Sequence, residues 1–125
     1  RAMSYRGPDG IAHWRDDKVA LGHCLLRTTD EAAEERQPLL NDEGNIVIVI
    51  DGTLWNAEDL RRDLVSAGAR LRSRADSELV LRSYELWGRD FLSHDDGDFA
   101  LAIYDRRSRE IICARDRIGM RPLYW

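Results

Sequence analysis

The chain has 125 residues, 43% of them hydrophobic and 34% charged, a composition that suits one globular domain with its own core. A net charge of −4 and a pI near 5.4 provide no electrostatic attraction to nucleic acid or to an anionic membrane, so neither partner is expected. No apolar run approaches the roughly 20 residues of a membrane span and no secretion signal opens the chain, which indicates a cytoplasmic protein.

The first half of the chain predicts two strands separated by a long loop. Residues 18–27 carry regularly placed apolar side chains and predict the first strand. Residues 28–45 are polar and acidic, which indicates a loop with one short helical turn. Ile46–Ile50 is a run of five β-branched residues and predicts a strand buried on both faces. The Asp51-Gly52 pair predicts a tight turn that ends this strand, and such a turn can direct a backbone N–H into a cavity.

Two helices are predicted next. Asn56 and Asp76 are expected to be their N-caps, because each precedes an apolar stripe at helical spacing and has acidic residues in the following turn. A glycine follows each stripe, Gly68 and then Gly88, and is expected to end the helix.

The last part of the chain predicts a β-hairpin. Residues 99–104 and 110–114 are apolar, and the charged segment between them forms the loop. The order strand, loop, strand, two helices and hairpin predicts an α+β fold of layered, mostly antiparallel sheets with helices outside. Because the chain has no initiator Met and stops at Trp125 in mid-pattern, we expect a fragment of a longer protein.

Short motifs occur in a fixed order along nearly the whole chain. They are Arg6-Gly7-Pro8-Asp9, Leu21-Gly22-His23, Asp51-Gly52-Thr53-Leu54-Trp55-Asn56, Ala75-Asp76-Ser77-Glu78, Gly97-Asp98-Phe99-Ala100 and Ala114-Arg115-Asp116-Arg117-Ile118-Gly119. The ordered set resembles the glutaminase-type domain of the asparagine synthetase family, a class II glutamine amidotransferase with the N-terminal-nucleophile hydrolase fold. The resemblance covers residues 1–125 and implies a four-layer α/β/β/α sandwich. It also implies that the N-terminal strand and a C-terminal ATP-dependent synthetase domain are missing from the chain.

The resemblance implies a reaction whose catalytic groups lie outside these residues. Active members of the family begin with a cysteine whose α-amine serves as the general base and whose thiolate attacks the glutamine side-chain amide. Ammonia then travels to the synthetase domain, where ATP activates a carboxylate as an acyl-adenylate. No catalytic residue, metal ligand or cofactor is therefore expected in this domain. ATP and Mg are expected in the C-terminal synthetase domain, its expected partner, and glutamine or a peptide is the expected substrate.

The resemblance assigns substrate-binding positions to Asp51, Gly52 and Thr53. In the family an Asn-Gly pair donates its side-chain amide and glycine N–H to the oxyanion, and here an Asp replaces that Asn. An ionised carboxylate only accepts hydrogen bonds and repels an oxyanion. Loss of one oxyanion donor costs roughly 3–4 kcal/mol of transition-state stabilisation. Thr53 replaces a Glu that holds the substrate amide in the family. The alternative interpretation of Asp51-Gly52 is a tight turn without a binding role.

Four further positions bear on substrate binding. Leu25 stands where the family has an Arg for the substrate carboxylate, and leucine cannot replace a bidentate guanidinium. Arg27, two residues later and so on the same strand face, either compensates or is a surface residue. Asp76 matches the family residue that holds the substrate α-amine, although an N-cap role also explains it. His23 is either a hydrogen-bonded core residue or an acid or base.

Two functions follow from these substitutions. In the first, the domain does not hydrolyse glutamine and is a scaffold for the ligase domain of an ATP-dependent amide-forming enzyme. Lasso-peptide macrolactam cyclases and β-lactam synthetases are relatives of this kind, and the fragment alone would be inactive. In the second, the domain is the active glutaminase half of a glutamine-dependent asparagine synthetase.

Overall fold

The computed structural model describes residues 4–125 and shows an α+β fold, as predicted. The strands and helices, in chain order, are β1 (Gly10–Arg15), β2 (Ala20–Leu25), β3 (Leu39–Leu40), β4 (Ile46–Leu54), α1 (Ala57–Ser66), α2 (Asp76–Trp87), β5 (Gly97–Asp105) and β6 (Glu110–Arg115). Short 3-10 helices occupy Ser4–Arg6, Glu31–Glu34 and Gly88–Ser93. None of the helices within residues 4–125 is long and apolar enough to cross a membrane.

All strand pairings among the described residues are antiparallel, which confirms the predicted sheet type. β1 and β2 form a two-stranded sheet, and the other strands form a four-stranded sheet in the order β3-β4-β5-β6. The predicted hairpin of the last part is the β5–β6 pair, in which Asp105 pairs with Glu110 at the turn.

The core lies between the four-stranded sheet and the two helices. Its β4 members are Ile46, Ile48, Ile50 and Leu54, all at alternate positions of the strand, and they pack with α1 and α2. The opposite face of the sheet meets β1 and β2, where the rings of Trp14 and Tyr104 are 5.9 Å apart. The described residues thus form three layers, of helices, sheet and sheet. The fourth, helical layer that the resemblance implies stays a prediction.

A buried ion-pair cluster fastens α2 to the loop before β4. The Arg82 guanidinium, nearly inaccessible to solvent, lies 2.8 Å from carboxylate oxygens of Glu78 and Glu85 and 3.1 Å from Asp42. Glu78 also pairs with Arg72 at 2.9 Å. Burial raises the pKa of Glu78, but the hydrogen bonds from the two arginines outweigh it and hold the pKa below its usual value.

The structure differs from the prediction at three strands. β3 lies within residues 28–45, which the sequence predicts to be a loop, because two residues are too short a run to indicate a strand. The sequence does not predict β1, because five of its six residues are exposed and they show no apolar alternation. β4 continues to Leu54, so the turn predicted at Asp51-Gly52 is wrong. β5 extends the ladder at this point, and Gly52 pairs with Phe99. The glycine is required by a close approach of two strands and by its φ of +142°, not by a turn.

Both predicted helix caps use their side chains elsewhere. Asn56 is the N-cap residue of α1, as predicted, but its side chain makes no capping hydrogen bond. Its amide instead bridges the loop before β5, donating to the His94 carbonyl at 2.7 Å and accepting from the Asp96 N–H at 3.0 Å. Asp76 is the first residue of α2 rather than its N-cap, which is Ala75. Tertiary partners therefore overrule the local capping preference at both positions.

Candidate functional site

The outer edge of β4 carries a row of backbone donors. The Ile50 N–H donates to Gln37 Oε1 at 2.6 Å, and the Leu54 N–H donates to Asp76 Oδ2 at 2.9 Å. Alternate residues of an antiparallel strand direct their N–H groups to the same edge, so the Gly52 N–H lies at this edge between the other two. This is the geometry that an anion-binding backbone donor needs.

Two glycines hold β4 and β5 unusually close at this point. A Cβ on Gly52 would lie 1.9 Å from the Asp98 carbonyl oxygen, and a Cβ on Gly97 would lie 2.2 Å from the Thr53 carbonyl oxygen. Neither contact is possible for a side chain, so both positions exclude every other residue without movement of the strands. The close approach fixes the backbone that carries the Gly52 N–H.

The Asp51 side chain points away from this edge. Its carboxylate stands on the sheet face opposite the helices, is 72% exposed, and lies 3.7 Å from Nη1 of Arg121. Nε of Arg121 is 3.4 Å from the Asp98 carboxylate, so one guanidinium forms ion pairs with two carboxylates. The Asp116 carboxylate accepts the Met120 and Arg121 backbone N–H groups at 3.0 and 3.3 Å, which orders this loop. The negative charge at position 51 is therefore partly offset by a residue that sequence spacing did not predict.

Thr53 and Asp76 complete the predicted set. Thr53 is exposed on the same sheet face as Asp51, opposite Asp98 in the ladder. Asp76 is half-buried at the start of α2, with its carboxylate bound to the Leu54 N–H. The structure thus brings the four predicted residues to one end of β4, with Asp76 beside the row of backbone donors and Asp51 and Thr53 on the sheet face.

A cavity of about 380 Å³ opens between the two-stranded sheet and the segment before β3. Leu25 lines it, so the wall is apolar where the resemblance implies a guanidinium. Arg27 does not compensate in the way proposed from strand alternation, because β2 ends at Leu25 and Arg27 is exposed. The Arg27 backbone N–H instead donates to Asp9 at 2.7 Å.

His23 faces the same cavity from β2. Burial lowers the pKa of its imidazole, opposed by a hydrogen bond to the Ile50 backbone and by the charge of Asp51. The ring is therefore neutral at neutral pH and bonded to β4. This supports the interpretation of His23 as a hydrogen-bonded core residue.

Sequence reasoning missed Glu35 and Gln37. The Gln37 amide donates to the Ile50 carbonyl at 3.0 Å and accepts its N–H, so a side chain continues the β3–β4 ladder past the end of β3. Glu35 lies beside Gln37 and the first turn of α2, and burial raises the pKa of its carboxyl. Both residues lie in a segment predicted to be a loop, and the one local signal was the apolar pair Leu39-Leu40. Within residues 4–125 no three His, Cys, Asp or Glu side chains converge as a metal ion requires.

Comparison with known proteins supports the resemblance to glutamine amidotransferase domains. The family model described as "Glutamine amidotransferase domain" matches residues 1–125. "Asparagine synthetase [glutamine-hydrolyzing] 3" of Bacillus subtilis (strain 168) is 33% identical over 124 residues, covering 98% of this chain and 20% of the relative. "Probable asparagine synthetase [glutamine-hydrolyzing]" of Dictyostelium discoideum is 36% identical over 123 residues, covering 98% and 22%. "Amidase chry2" of Gibberella zeae is 33% identical over 125 residues, covering 98% and 18%. The chain thus spans about a fifth of the length of these curated relatives.

A solved structure shares the fold. The glutamine phosphoribosylpyrophosphate amidotransferase of B. subtilis, complexed with ADP and GMP, superposes with a TM-score of 0.67 at 26% identity. The match covers 82% of this chain and 24% of the amidotransferase. The amidotransferase fold, the asparagine synthetase relatives and the family match over the whole chain agree, and the chain belongs to the glutamine amidotransferase domain family, in the form found in asparagine synthetase-like enzymes.

Proposed function

We propose that this domain does not hydrolyse glutamine and serves as the scaffold of an ATP-dependent amide-forming enzyme. Within that class we favour an enzyme that joins its own substrate's amine to an activated carboxylate, such as a lasso-peptide macrolactam cyclase or a β-lactam synthetase. The partner would be a C-terminal synthetase domain of the same protein, which would bind ATP and Mg. The peptide substrate would meet that domain rather than the cavity described above.

The observation that carries this proposal is the apolar wall at Leu25. A glutamine carboxylate that enters a partly apolar cavity needs a cationic or donor group in place of the water that it loses. Leu25 supplies neither, and Arg27 lies outside the strand and is exposed. Arg36 also lines this cavity, but from the segment before β3 and not from β2. The cavity wall therefore lacks a guanidinium at position 25, where the resemblance implies one for the substrate carboxylate.

Position 51 adds a second deficit. In the family pattern an amide at this position donates to the developing oxyanion, whereas a carboxylate cannot. Arg121 offsets the charge of Asp51 but is shared with Asp98, so the three side chains together carry one net negative charge. Loss of the side-chain donor alone corresponds to a rate decrease of about 10²–10³-fold.

The second candidate, an active glutaminase, is favoured by a different observation. The Gly52 N–H lies at the outer edge of β4, and the Asp51 carboxylate is directed away from that edge. Two of the relatives described above are named as glutamine-hydrolysing. In this case Arg121 would have to hold the substrate carboxylate or the oxyanion in place of the missing groups.

The decisive experiment measures ammonia release from glutamine by the full-length protein, with ATP-dependent amide formation followed separately. We expect neither the wild type nor Arg27→Ala to release ammonia from glutamine. We also expect the wild type to form the amide product when a substrate amine is present and glutamine is absent. Leu25→Arg should restore glutamine binding by calorimetry, and Leu25→Lys is the matched control, since it adds charge without a bidentate fork. Ammonia release by the wild type that depends on its N-terminal residue and falls in Arg121→Ala would refute the scaffold proposal and establish the glutaminase.

A further inference from the structure

Asp95 is a buried carboxyl without a hydrogen-bond partner. It is 8% exposed, and neither of its carboxylate oxygens meets a donor among the described residues. Ser83 Oγ of α2 faces it and partly opposes the effect of burial on the Asp95 pKa. The two side chains nevertheless do not meet in hydrogen-bonding geometry, and Ser83 Oγ is itself unpartnered and buried. An ionised carboxylate in such a place is strongly unfavourable, whereas a protonated one can donate to a hydroxyl.

No charged group of the packed elements compensates Asp95. On α2, the Tyr84 hydroxyl donates to Asp105, and the Arg82 guanidinium forms ion pairs with Glu78 and Glu85. On the 3-10 helix that precedes it, Arg89 pairs with Glu110 across solvent. Two cations, Arg115 and Arg117, line the same cavity as Asp95, but both are exposed and neither bonds to its carboxylate. The remaining ionisable neighbours are exposed or engaged elsewhere: Asp90, Asp96, Asp98 bound to Arg121, Asp116 bound to backbone N–H groups, and His94 stacked on Trp87 at 3.8 Å.

The segment that carries Asp95 is joined directly to the end of β4. Asn56 bonds to both of its neighbours, the His94 carbonyl and the Asp96 N–H, and the Trp55 N–H donates to the Asp96 carbonyl at 2.8 Å. Gly97 follows at once and packs on the Thr53 carbonyl. A displacement of residues 94–97 must therefore move the strand end that carries Gly52 and Thr53.

We propose that Asp95 is a proton-dependent latch. When protonated, it holds residues 94–97 against Ser83 of α2 and keeps the end of β4 in the geometry described above. When ionised, it releases this segment and loosens the strand end. Burial raises the pKa of Asp95 to about 7, which puts the change near neutral pH. The latch does not depend on whether the domain hydrolyses glutamine.

The size of the effect follows from linkage. Opening exposes the carboxyl, whose pKa then returns towards its ordinary value of 3.8. The open segment is ionised throughout the neutral range, whereas the closed one loses its proton only near pH 7. The opening constant therefore rises with pH until the closed form is also ionised, and between about pH 6 and about pH 8 it rises about tenfold.

Hydrogen exchange of the full-length protein, corrected for the intrinsic pH dependence of exchange, tests the latch. We expect the protection of residues 52–56 and 94–98 to fall about tenfold between those two pH values. In Asp95→Asn this decrease should vanish, because the side chain is isosteric and cannot ionise. Asp96→Asn and His94→Gln are the matched controls, since they remove the adjacent exposed carboxyl and the adjacent imidazole, and both should keep the wild-type response.

Two results would overturn the latch. The first is a decrease of the same size in Asp95→Asn, or none in the wild type. The second needs no variant and holds even if Asp95→Asn fails to fold: a carbon-13 titration of the Asp95 carboxyl in the wild type with its midpoint near the ordinary aspartate value. A midpoint near neutrality, with amide shifts of Thr53 and Gly97 that follow it, supports the latch.

Discussion

Gly52→Ala should destabilise the domain far more than an ordinary glycine substitution. The new Cβ would lie 1.9 Å from the Asp98 carbonyl oxygen and 2.6 Å from Phe99 Cα, both backbone atoms that cannot rotate away. The backbone at this position also has φ near +142°, where residues with a side chain are strained. The substitution must therefore separate β4 from β5 or rotate the strand.

The magnitude can be worked from these two effects. Strain in a sparsely populated backbone region costs about 1–3 kcal/mol. Forcing an extra methyl group into a packed interior costs a further 1–3 kcal/mol or so. We therefore expect a loss of about 2–6 kcal/mol, a large part of the roughly 5–15 kcal/mol by which a domain is stable.

Gly68→Ala is the matched control. Gly68 also has positive φ, near +92°, but no heavy atom lies within 4 Å of its would-be Cβ, so only the conformational penalty of about 1–2 kcal/mol applies. Urea unfolding followed by circular dichroism gives both free energies of unfolding, with an unchanged m-value showing that the transition stays two-state. If Gly52→Ala loses no more stability than Gly68→Ala, the close approach of β4 and β5 at this residue does not exist in solution.

Three more perturbations follow from the buried polar groups. Gln37→Ala should cost about 2–4 kcal/mol in urea unfolding, because it leaves the buried N–H and carbonyl of Ile50 without partners. Arg82→Met should cost about 3 kcal/mol, since it leaves the Glu78 carboxylate buried with one arginine instead of two. Asp95→Asn should stabilise the domain increasingly as pH rises. The wild-type pKa is raised in the folded state, so wild-type stability falls between about pH 4 and about pH 7, by at most about 4 kcal/mol.

The Arg82→Met prediction has a control on the surface. Arg89→Met breaks an ion pair with Glu110 that is open to solvent, so it should leave the unfolding midpoint almost unchanged. Equal losses for Arg82→Met and Arg89→Met would mean that burial adds nothing to the cluster. For Asp95→Asn, a difference in unfolding temperature from the wild type that is the same at every pH would contradict the raised pKa of Asp95.

The parts of the fold that the sequence predicts well are those in which burial and periodicity coincide. Ile46–Ile50 is buried in the centre of a sheet, and the stripe of α2 that includes Leu79 and Tyr84 is buried against it. β1 has neither property, because its place is set by pairing with β2 and not by its own side chains. Asn56 is the predicted N-cap residue of α1, but its expected capping hydrogen bond is absent for a related reason. Its side chain bonds to partners about forty residues away in sequence, which no local rule contains.

In the candidate site, the sequence predicts which residues lie close together but not the directions of their side chains and N–H groups. Motif order brings Asp51, Gly52, Thr53 and Asp76 together, and the structure places all four at one end of β4. Direction depends on whether the chain turns or continues after Ile50. A turn would aim the Asp51 carboxylate and the Gly52 N–H into one concavity, whereas a continuing strand sends them to the sheet face and the sheet edge.

That difference changes what each substitution means for function. With the Asp51 carboxylate on the sheet face and beside Arg121, its repulsion of an anion at the Gly52 N–H acts over a longer, partly solvated path and is correspondingly weaker. Leu25 differs, because its side chain lines the cavity itself and no arginine from β2 replaces it. Arg36 lines the cavity as well, but from the segment before β3. The argument against glutamine hydrolysis therefore depends more on position 25 than on position 51. Of the two single variants, Leu25→Arg should recover more glutamine binding than Asp51→Asn, and the reverse order would place the defect at the oxyanion instead.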